Sequence, residues 1–265
     1  MADLEHLVDL WWTAIQDLTT LVAELPPEAW HAPTDLEGWD VHDQVAHVAH
    51  LETILAGGAE ETVDIGSPEH VKSMMGTYTE QGVVARKERT PAELIAEIAE
   101  ATTRRKAELE AATLEAAAPA PGAFGLLGWS TEKLFKNRPL DVWMHTQDIR
   151  RAVGLPGGLD NAQAQHVADY LLESTGFVVG KRVGAPVGTT VTVDVAGSAP
   201  VTVTVGEDGR ARPGQSSEST VTLTMGRETW IILAGGRRSP DAVEVTVDGN
   251  AELGAAILAN LAVTP

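Results

Sequence analysis

The stretch DVWMHTQDIR, residues 141–150, decides how the rest of this chain is interpreted. Apolar residues mark one side of a helix here, whereas Asp141, His145 and Asp148 follow at spacings of four and three on an adjoining face. Taking such ionisable groups out of water is costly unless each of them finds a partner. The helix therefore requires either a network of hydrogen bonds or a bound cation.

Asp141 and His145 lie one helical turn apart, a spacing with which one helix can supply two ligands to a metal. His47 on a second helix could supply the third ligand, because that helix buries an arc against the same predicted core. Asp148 is expected beside the ligands, where it would orient one of them or a bound water. A hydrogen-bonded Asp141–His145 pair without a metal explains the same spacing, so both interpretations stay open here.

The first 157 residues are predicted to form a four-helix bundle, because apolar residues recur there at threes and fours. Asp40 is expected to cap the second helix, and the sequence Thr90-Pro-Ala-Glu93 predicts a capping box at the start of the third. Residues 58–89 are predicted to be a loop with a short helical piece, and residues 117–125 a mobile connection. The four helices are predicted at 3–25, 41–55, 90–116 and 134–153.

A second, smaller domain is predicted at residues 158–265, after the break Leu155-Pro-Gly-Gly. Threonine and valine alternate there with the period of half-buried strands. The fold class is therefore α plus α+β, a four-helix bundle at 1–157 followed by an α+β domain. The strands are predicted at 189–195, 201–205, 220–224 and 242–247, and the helices at 161–178, 228–234 and 251–261.

Histidines outside the predicted site receive a simpler interpretation. His47 lies near the buried arc of its helix, whereas His42 and His50 on the same helix are expected to point away from it. Together with His31 and His70, these two are predicted to be solvent-facing or loop residues.

Other charged and aromatic residues have both structural and functional interpretations. Glu52, on the buried arc of the second helix, is expected to form an ion pair with Arg150 or another cation. Arg237 follows Gly235-Gly236 at a predicted helix end, where a cation complements the helix dipole, but it could also bind a substrate anion. Four tryptophans are expected in or near the core, with substrate stacking as the alternative: Trp11, Trp12, Trp39 and Trp143.

The composition excludes several classes of function. A formal net charge of -19 repels nucleic acid and anionic membrane surfaces, and the basic residues are too scattered to overcome it. No apolar run is long enough to span a membrane, so we expect a cytoplasmic protein. With no cysteine in the sequence, any thiol chemistry requires a thiol from outside. The oligomeric state is left open.

Two motifs contain the residues of the predicted site: GWDVHDQVAH at 38–47 and RPLDVWMHTQDIR at 138–150. Together they resemble the mycothiol-dependent maleylpyruvate isomerase family, whose N-terminal domain is a DinB-like four-helix bundle. The closing part, with VTLTM at 221–225, GRRSP at 236–240 and VTVDG at 245–249, is similar to that family's C-terminal domain. That domain is related to sterol-carrier-protein folds, so the resemblance covers nearly the whole chain.

The resemblance implies a divalent metal, usually zinc, with His47, Asp141 and His145 as its ligands. Asp148 would lie in the surrounding shell, and Arg237 would hold a substrate carboxylate. The characterised isomerase has glutamate as the acidic ligand. Because Asp141 is one methylene shorter, we expect a shifted metal position or an intervening water at this ligand.

The resemblance also implies mycothiol, a small thiol of actinobacteria, and a small-molecule substrate. A metal-bound thiol has a lowered pKa, so a thiolate forms near neutral pH. Its addition to an activated double bond, rotation and departure would give cis–trans isomerisation, whereas an electrophile with a leaving group would give S-transfer. Two rivals are a protein that binds a small apolar ligand without catalysis and a metal-bound protein without a thiol partner.

Overall fold

The computed structural model describes residues 3–214 and 218–264, and they form two compact units, 3–158 and 159–264. The outer limits of the predicted domains, residues 1 and 265, lie outside the described residues. The predicted fold class is confirmed, since a helical unit is followed by a small unit that combines helices with one mixed sheet. Within the described ranges, no helix has both the length and the apolarity needed to cross a membrane.

Four long helices, α1, α2, α4 and α6, build the first unit, with two shorter helices between them. As predicted, Asp40 caps α2 in a capping box, and Thr90 and Glu93 form the capping box of α4. A 3-10 turn at Pro27–His31 connects the first two helices. The helices are α1 at Leu4–Ala23, α2 at Val41–Leu55, α3 at Met74–Val84, α4 at Pro91–Ala111, α5 at Gly122–Leu126 and α6 at Thr131–Val153.

The connections of this unit are more structured than the sequence predicts. The expected short helical piece within 58–89 is an eleven-residue helix, α3, capped by Ser73. The third main helix ends at Ala111 rather than near 116, because Ala112 already has extended backbone angles. The predicted mobile connection at 117–125 contains most of α5. The order in these connections depends on contacts that apolar spacing does not reveal.

α2 lies at the centre of the first unit and packs against α3, α4 and α6. Each of its first twelve residues, Val41 through Glu52, is buried. The prediction that His42 and His50 face solvent is therefore wrong: His42 bonds the backbone oxygen of Arg89, and His50 bonds Glu61. Segments packed over the outer side of α2 supply these partners and cover both imidazoles.

His50 is held tightly, because a Cβ atom at Gly82 of α3 would lie 2.0 Å from its ring. Burial, reinforced by the charge of Arg86, lowers the pKa of His50 from 6.5 to about 4. The unfolded chain therefore binds a proton between these pH values that the folded chain does not. Above pH 6.5 His50 is neutral in both states, and we expect no loss of stability from it. As the pH drops to about 4, the free energy of unfolding should fall by about 3 kcal/mol, because the unfolded chain gains a proton that the buried imidazole does not.

The check is chemical denaturation of the metal-free protein across this pH range, compared with a His50→Leu variant. The variant is expected to lose this part of the pH dependence, so the two stability curves should converge as the pH falls. Parallel curves between pH 4 and pH 6.5 would contradict the assignment.

The second unit contains a five-stranded sheet in the order β3-β2-β1-β4-β5. β1 pairs with β4 in parallel, and the other neighbours are antiparallel. α10 packs against β4 and β5, and Trp230 of α9 donates a hydrogen bond to the carbonyl of Ala168 on α7. The elements are α7 at Ala162–Leu172, α8 at Thr175–Phe177, β1 at Thr190–Val195, β2 at Val201–Val205, β3 at Ala211–Pro213, β4 at Val221–Met225, α9 at Arg227–Ala234, β5 at Thr246–Gly249 and α10 at Ala251–Leu258.

Two of the predicted elements of this unit differ clearly from the structure, and one strand, β3, was not predicted. The predicted helix at 161–178 is divided into α7, α8 and a π-helical turn at Val178–Arg182. The strand predicted at 242–247 begins only at Thr246, after a 3-10 turn at Pro240–Ala242. β3 has only three residues, too few for an alternating pattern to predict it.

Candidate metal centre

His47, Asp141 and His145 meet inside the first unit, where each offers one ligand atom and these atoms lie within 4.8 Å of one another. His47 comes from α2, and the other two come from successive turns of α6. Nε2 of His47 is 3.4 Å from Oδ2 of Asp141, and Nε2 of His145 is 3.8 Å from Oδ1. Two imidazoles and one carboxylate form a donor set that suits zinc.

His47 has the most unusual environment of the three. Its side chain is 4% exposed, and within residues 3–214 and 218–264 neither ring nitrogen forms a hydrogen bond of ordinary geometry, since Nε2 has only the 3.4 Å contact with Asp141. A buried polar group without a partner destabilises the folded state, and such groups are rare in native proteins. Coordination to a cation would satisfy a ring nitrogen, so the site fits a metal ligand at this position.

Asp141 is the most exposed member of the group, with 21% of its side chain accessible. Arg138, one turn earlier on α6, donates from Nη1 to Oδ2 at 2.9 Å. Burial alone would raise the pKa of Asp141, but the charge of Arg138 and the two histidines hold it well below its ordinary value. The carboxylate is therefore ionised, with Oδ1 on the side of His145.

Arg138 belongs to a buried ionic network beside the site. Glu52 is fully buried and accepts hydrogen bonds from Trp11 at 2.9 Å, from Arg138 at 2.7 and 3.1 Å and from Arg105 at 2.8 Å. The expected ion pair of Glu52 thus has these two arginines as its cations. Arg150, the partner named from the sequence, instead donates to the carbonyl of Leu155.

Gln44 is a residue of the site that the sequence interpretation missed. Its Oε1 lies 2.9 Å from Nδ1 of His145, whereas Oδ2 of Asp148 lies 3.9 Å from the same nitrogen. Asp148 bonds Arg151 through its other oxygen, so its role in orienting a ligand stays a prediction. One signal was available, since Gln44 precedes His47 by one turn on the same buried helix.

Trp39 forms a wall of the site. Its ring centroid lies 5.0 Å from that of His47 and 6.0 Å from that of His145. Glu80 of α3 accepts a hydrogen bond from the indole nitrogen at 2.8 Å and also bonds His70 at 3.0 Å. Trp39 is thereby fixed against the two histidines, while Trp11 and Trp143 are buried in the core as predicted.

A second group of possible metal ligands, Asp40, His42 and Asp43, is engaged in other contacts. The two aspartates form the capping box of α2, and Oδ1 of Asp43 also accepts a hydrogen bond from Lys87 at 2.7 Å. Nε2 of His42 bonds the backbone oxygen of Arg89 at 2.8 Å. These partners account for the group without a cation.

Arg237 lies in the second unit, just after α9. Its Nη1 donates to the carbonyl of Gly235 at 2.6 Å and to the hydroxyl of Thr264 at 3.2 Å. A cation that bonds a carbonyl at the end of a helix complements its dipole, as one of the two interpretations expects. The binding of a substrate anion by Arg237 stays a prediction.

Comparisons with known proteins agree with this architecture. The family model described as "Mycothiol maleylpyruvate isomerase N-terminal domain" matches residues 11–150, more than half of the chain. The chain belongs to this family. The model of the maleylpyruvate isomerase C-terminal domain matches residues 165–256. None of the curated protein sequences matches the chain.

Two solved structures of the mycothiol-dependent maleylpyruvate isomerase are similar to this chain. One has a TM-score of 0.57 at 16% sequence identity, and the aligned region covers 93% of this chain and 93% of that chain. A histidine-to-alanine mutant of the isomerase has the same TM-score and coverage at 14% identity. At these identities, the likeness shows that this chain shares the fold of the two structures, and no more.

Proposed function

We propose that this member of the maleylpyruvate isomerase family is a metal-dependent enzyme that uses mycothiol. The observation that carries the proposal is the buried group of His47, Asp141 and His145, in which both ring nitrogens of His47 have no hydrogen-bond partner within the described ranges. The metal is zinc or a similar divalent ion, which two imidazoles and a carboxylate bind well. The two described units contain the regions that the N-terminal and C-terminal family models match.

Each residue of the site has a distinct part in this proposal. His47 and His145 supply neutral nitrogen ligands, and Asp141 supplies a negative charge that Arg138 keeps ionised. Trp39 excludes water from the side of the two imidazoles. Ligands therefore reach the proposed metal site from the side of the partly exposed Asp141. A divalent ion bound there would supply a Lewis acid that lowers the pKa of a thiol.

The proposed reaction is reversible addition of the mycothiol sulfur to an activated double bond of a small substrate. A carbon–sulfur bond forms, the former double bond rotates, and expulsion of the thiolate restores the double bond in the other geometry. With an electrophile that carries a leaving group, the same attack gives S-transfer. In either case, Arg237 is the proposed partner of a substrate carboxylate. The rival proposal is a non-catalytic protein that binds a small apolar ligand.

The first test is elemental analysis of protein purified without a histidine tag. We expect about one zinc or similar ion per chain, and saturation with zinc at 100 times its Kd should stabilise the protein by about 2.7 kcal/mol. His145→Ala should bind no metal at these concentrations. A wild-type protein that neither contains nor accepts metal would remove the enzyme proposal.

The second test is calorimetric titration of the zinc-loaded protein with mycothiol. A heat of binding that the zinc-loaded protein shows and the metal-free protein lacks supports a thiol bound at the metal. Metal binding without any response to the thiol would instead favour a metal-bound protein without a thiol partner. Heat from an apolar ligand with neither metal nor thiol binding would favour the non-catalytic alternative.

A further inference from the structure

A chain of hydrogen bonds leads from the loop before α2 to His145. The hydroxyl oxygen of Thr34 lies 2.7 Å from the carbonyl oxygen of Trp39 and 3.2 Å from the backbone nitrogen of Leu36. It also lies 2.7 Å from the side-chain amide of Gln44, whose other end is 2.9 Å from Nδ1 of His145. Gln44 and His145 are both buried, so the hydrogen bond between them is shielded from water, whereas Thr34 is half-buried.

The donor and acceptor of each hydrogen bond in this series follow from which groups can donate and which can only accept. The carbonyl of Trp39 can only accept, so it takes the single hydroxyl proton of Thr34. Gln44 must then present its NH₂ group to Thr34 and its carbonyl oxygen to His145. Because that oxygen also only accepts, Nδ1 of His145 must carry a hydrogen, which leaves the lone pair of the neutral ring on Nε2.

We infer that Gln44, oriented by Thr34, is a positioning residue that holds His145 as the Nδ1–H tautomer. Nε2 of His145 lies 3.8 Å from Oδ1 of Asp141. With the proton on Nε2, a small approach of the imidazole would let His145 donate it to this carboxylate, and the two residues would form a hydrogen-bonded pair instead of two ligands. Gln44 thus selects the metal-binding form over that pair. The tautomer stands on geometry alone, and only its purpose rests on the proposed function.

The decisive measurement is two-bond ¹H–¹⁵N NMR of the full chain with labelled histidine, after a chelator has removed metal. At about pH 8 an unperturbed imidazole is neutral, and the pattern of couplings identifies the protonated nitrogen. The His145→Asn spectrum assigns the signal. We expect His145 to carry its hydrogen on Nδ1. A hydrogen on Nε2 in the wild-type protein would overturn the inference.

Variants of the chain test whether Gln44 causes this state. Gln44→Met keeps the length of the side chain but loses the acceptor, so we expect the Nε2–H form to appear and zinc affinity to fall about 10- to 100-fold. Thr34→Val, which does not touch His145, should shift the tautomer in the same direction, and Thr34→Ser should behave like wild type. Unchanged tautomer and affinity in both Gln44→Met and Thr34→Val would also overturn the inference.

The outcomes separate this inference from the proposed function. An Nδ1–H tautomer in a protein that refuses metal would leave the inference standing and remove the enzyme proposal. If the protein binds zinc but its metal-free His145 is the Nε2–H form, the inference falls and the enzyme proposal stands. If Gln44→Met does not fold, the wild-type spectrum and the two Thr34 variants still decide the question.

Discussion

Replacing His47 by leucine is expected to abolish zinc binding and, at the same time, to stabilise the metal-free protein by about 1–3 kcal/mol. The imidazole of His47 is buried, and neither ring nitrogen has a hydrogen-bond partner in the part of the chain that the structure describes. Leucine fills a similar space without polar atoms, so the metal-free protein no longer bears the cost of burying them. Urea unfolding with a chelator and with excess zinc measures both effects.

The matched control is His50→Leu, which changes a second buried histidine of α2. Nδ1 of His50 lies 3.1 Å from a carboxylate oxygen of Glu61, so its removal breaks a buried polar contact. This variant should lose stability near neutral pH and keep its zinc. If His47→Leu lost as much stability as His50→Leu, or bound zinc normally, the assignment of His47 as a ligand would be wrong.

Glu52→Ala is expected to lower the free energy of unfolding by about 3–5 kcal/mol. Glu52 is the anion between the buried guanidinium groups of Arg105 and Arg138, so its removal leaves Arg105 without this counter-charge and Arg138 with Asp141 alone. Burial by itself would raise the pKa of Glu52, but the two arginines and Trp11 lower it, so the carboxylate is ionised in the folded protein. Chemical denaturation of the metal-free variant and wild type gives the difference.

An exposed ion pair serves as the control for Glu52. Lys106 and Glu110 pair one turn apart on α4, where Glu110 is 60% exposed, and Glu110→Ala should change stability by no more than about 0.5 kcal/mol. A Glu52→Ala effect as small as this would mean that water reaches the two arginines.

The sequence predicted the parts of the fold and of the site that depend on residues only a few positions apart. Apolar spacing indicated the four long helices, and the one-turn spacing of Asp141 and His145 indicated that these two side chains lie together. Residues whose roles depend on distant partners were missed or misassigned. Gln44 meets a histidine 101 positions away, and Arg138 meets Glu52 across 86 positions. No local pattern encodes such contacts.

The same limit explains the errors outside the site. α3 contains glycine and several polar residues without a clear apolar stripe, so its length was underestimated. Its packing against α2 is what covers His50, and the errors about α3 and about His50 therefore have one cause. Short or shifted elements of the second unit, such as β3 and β5, depend on pairing with neighbouring strands.

The burial of twelve consecutive residues of α2 affects how sequences of relatives should be compared. On most helices, selection for packing acts on one face only, so an invariant residue on the opposite face points to function. α2 has no such face from Val41 to Glu52. Packing alone should slow the evolution of every position there, so an invariant His47 would not by itself distinguish a ligand from a core residue. Covariation with α6 would be the more informative signal.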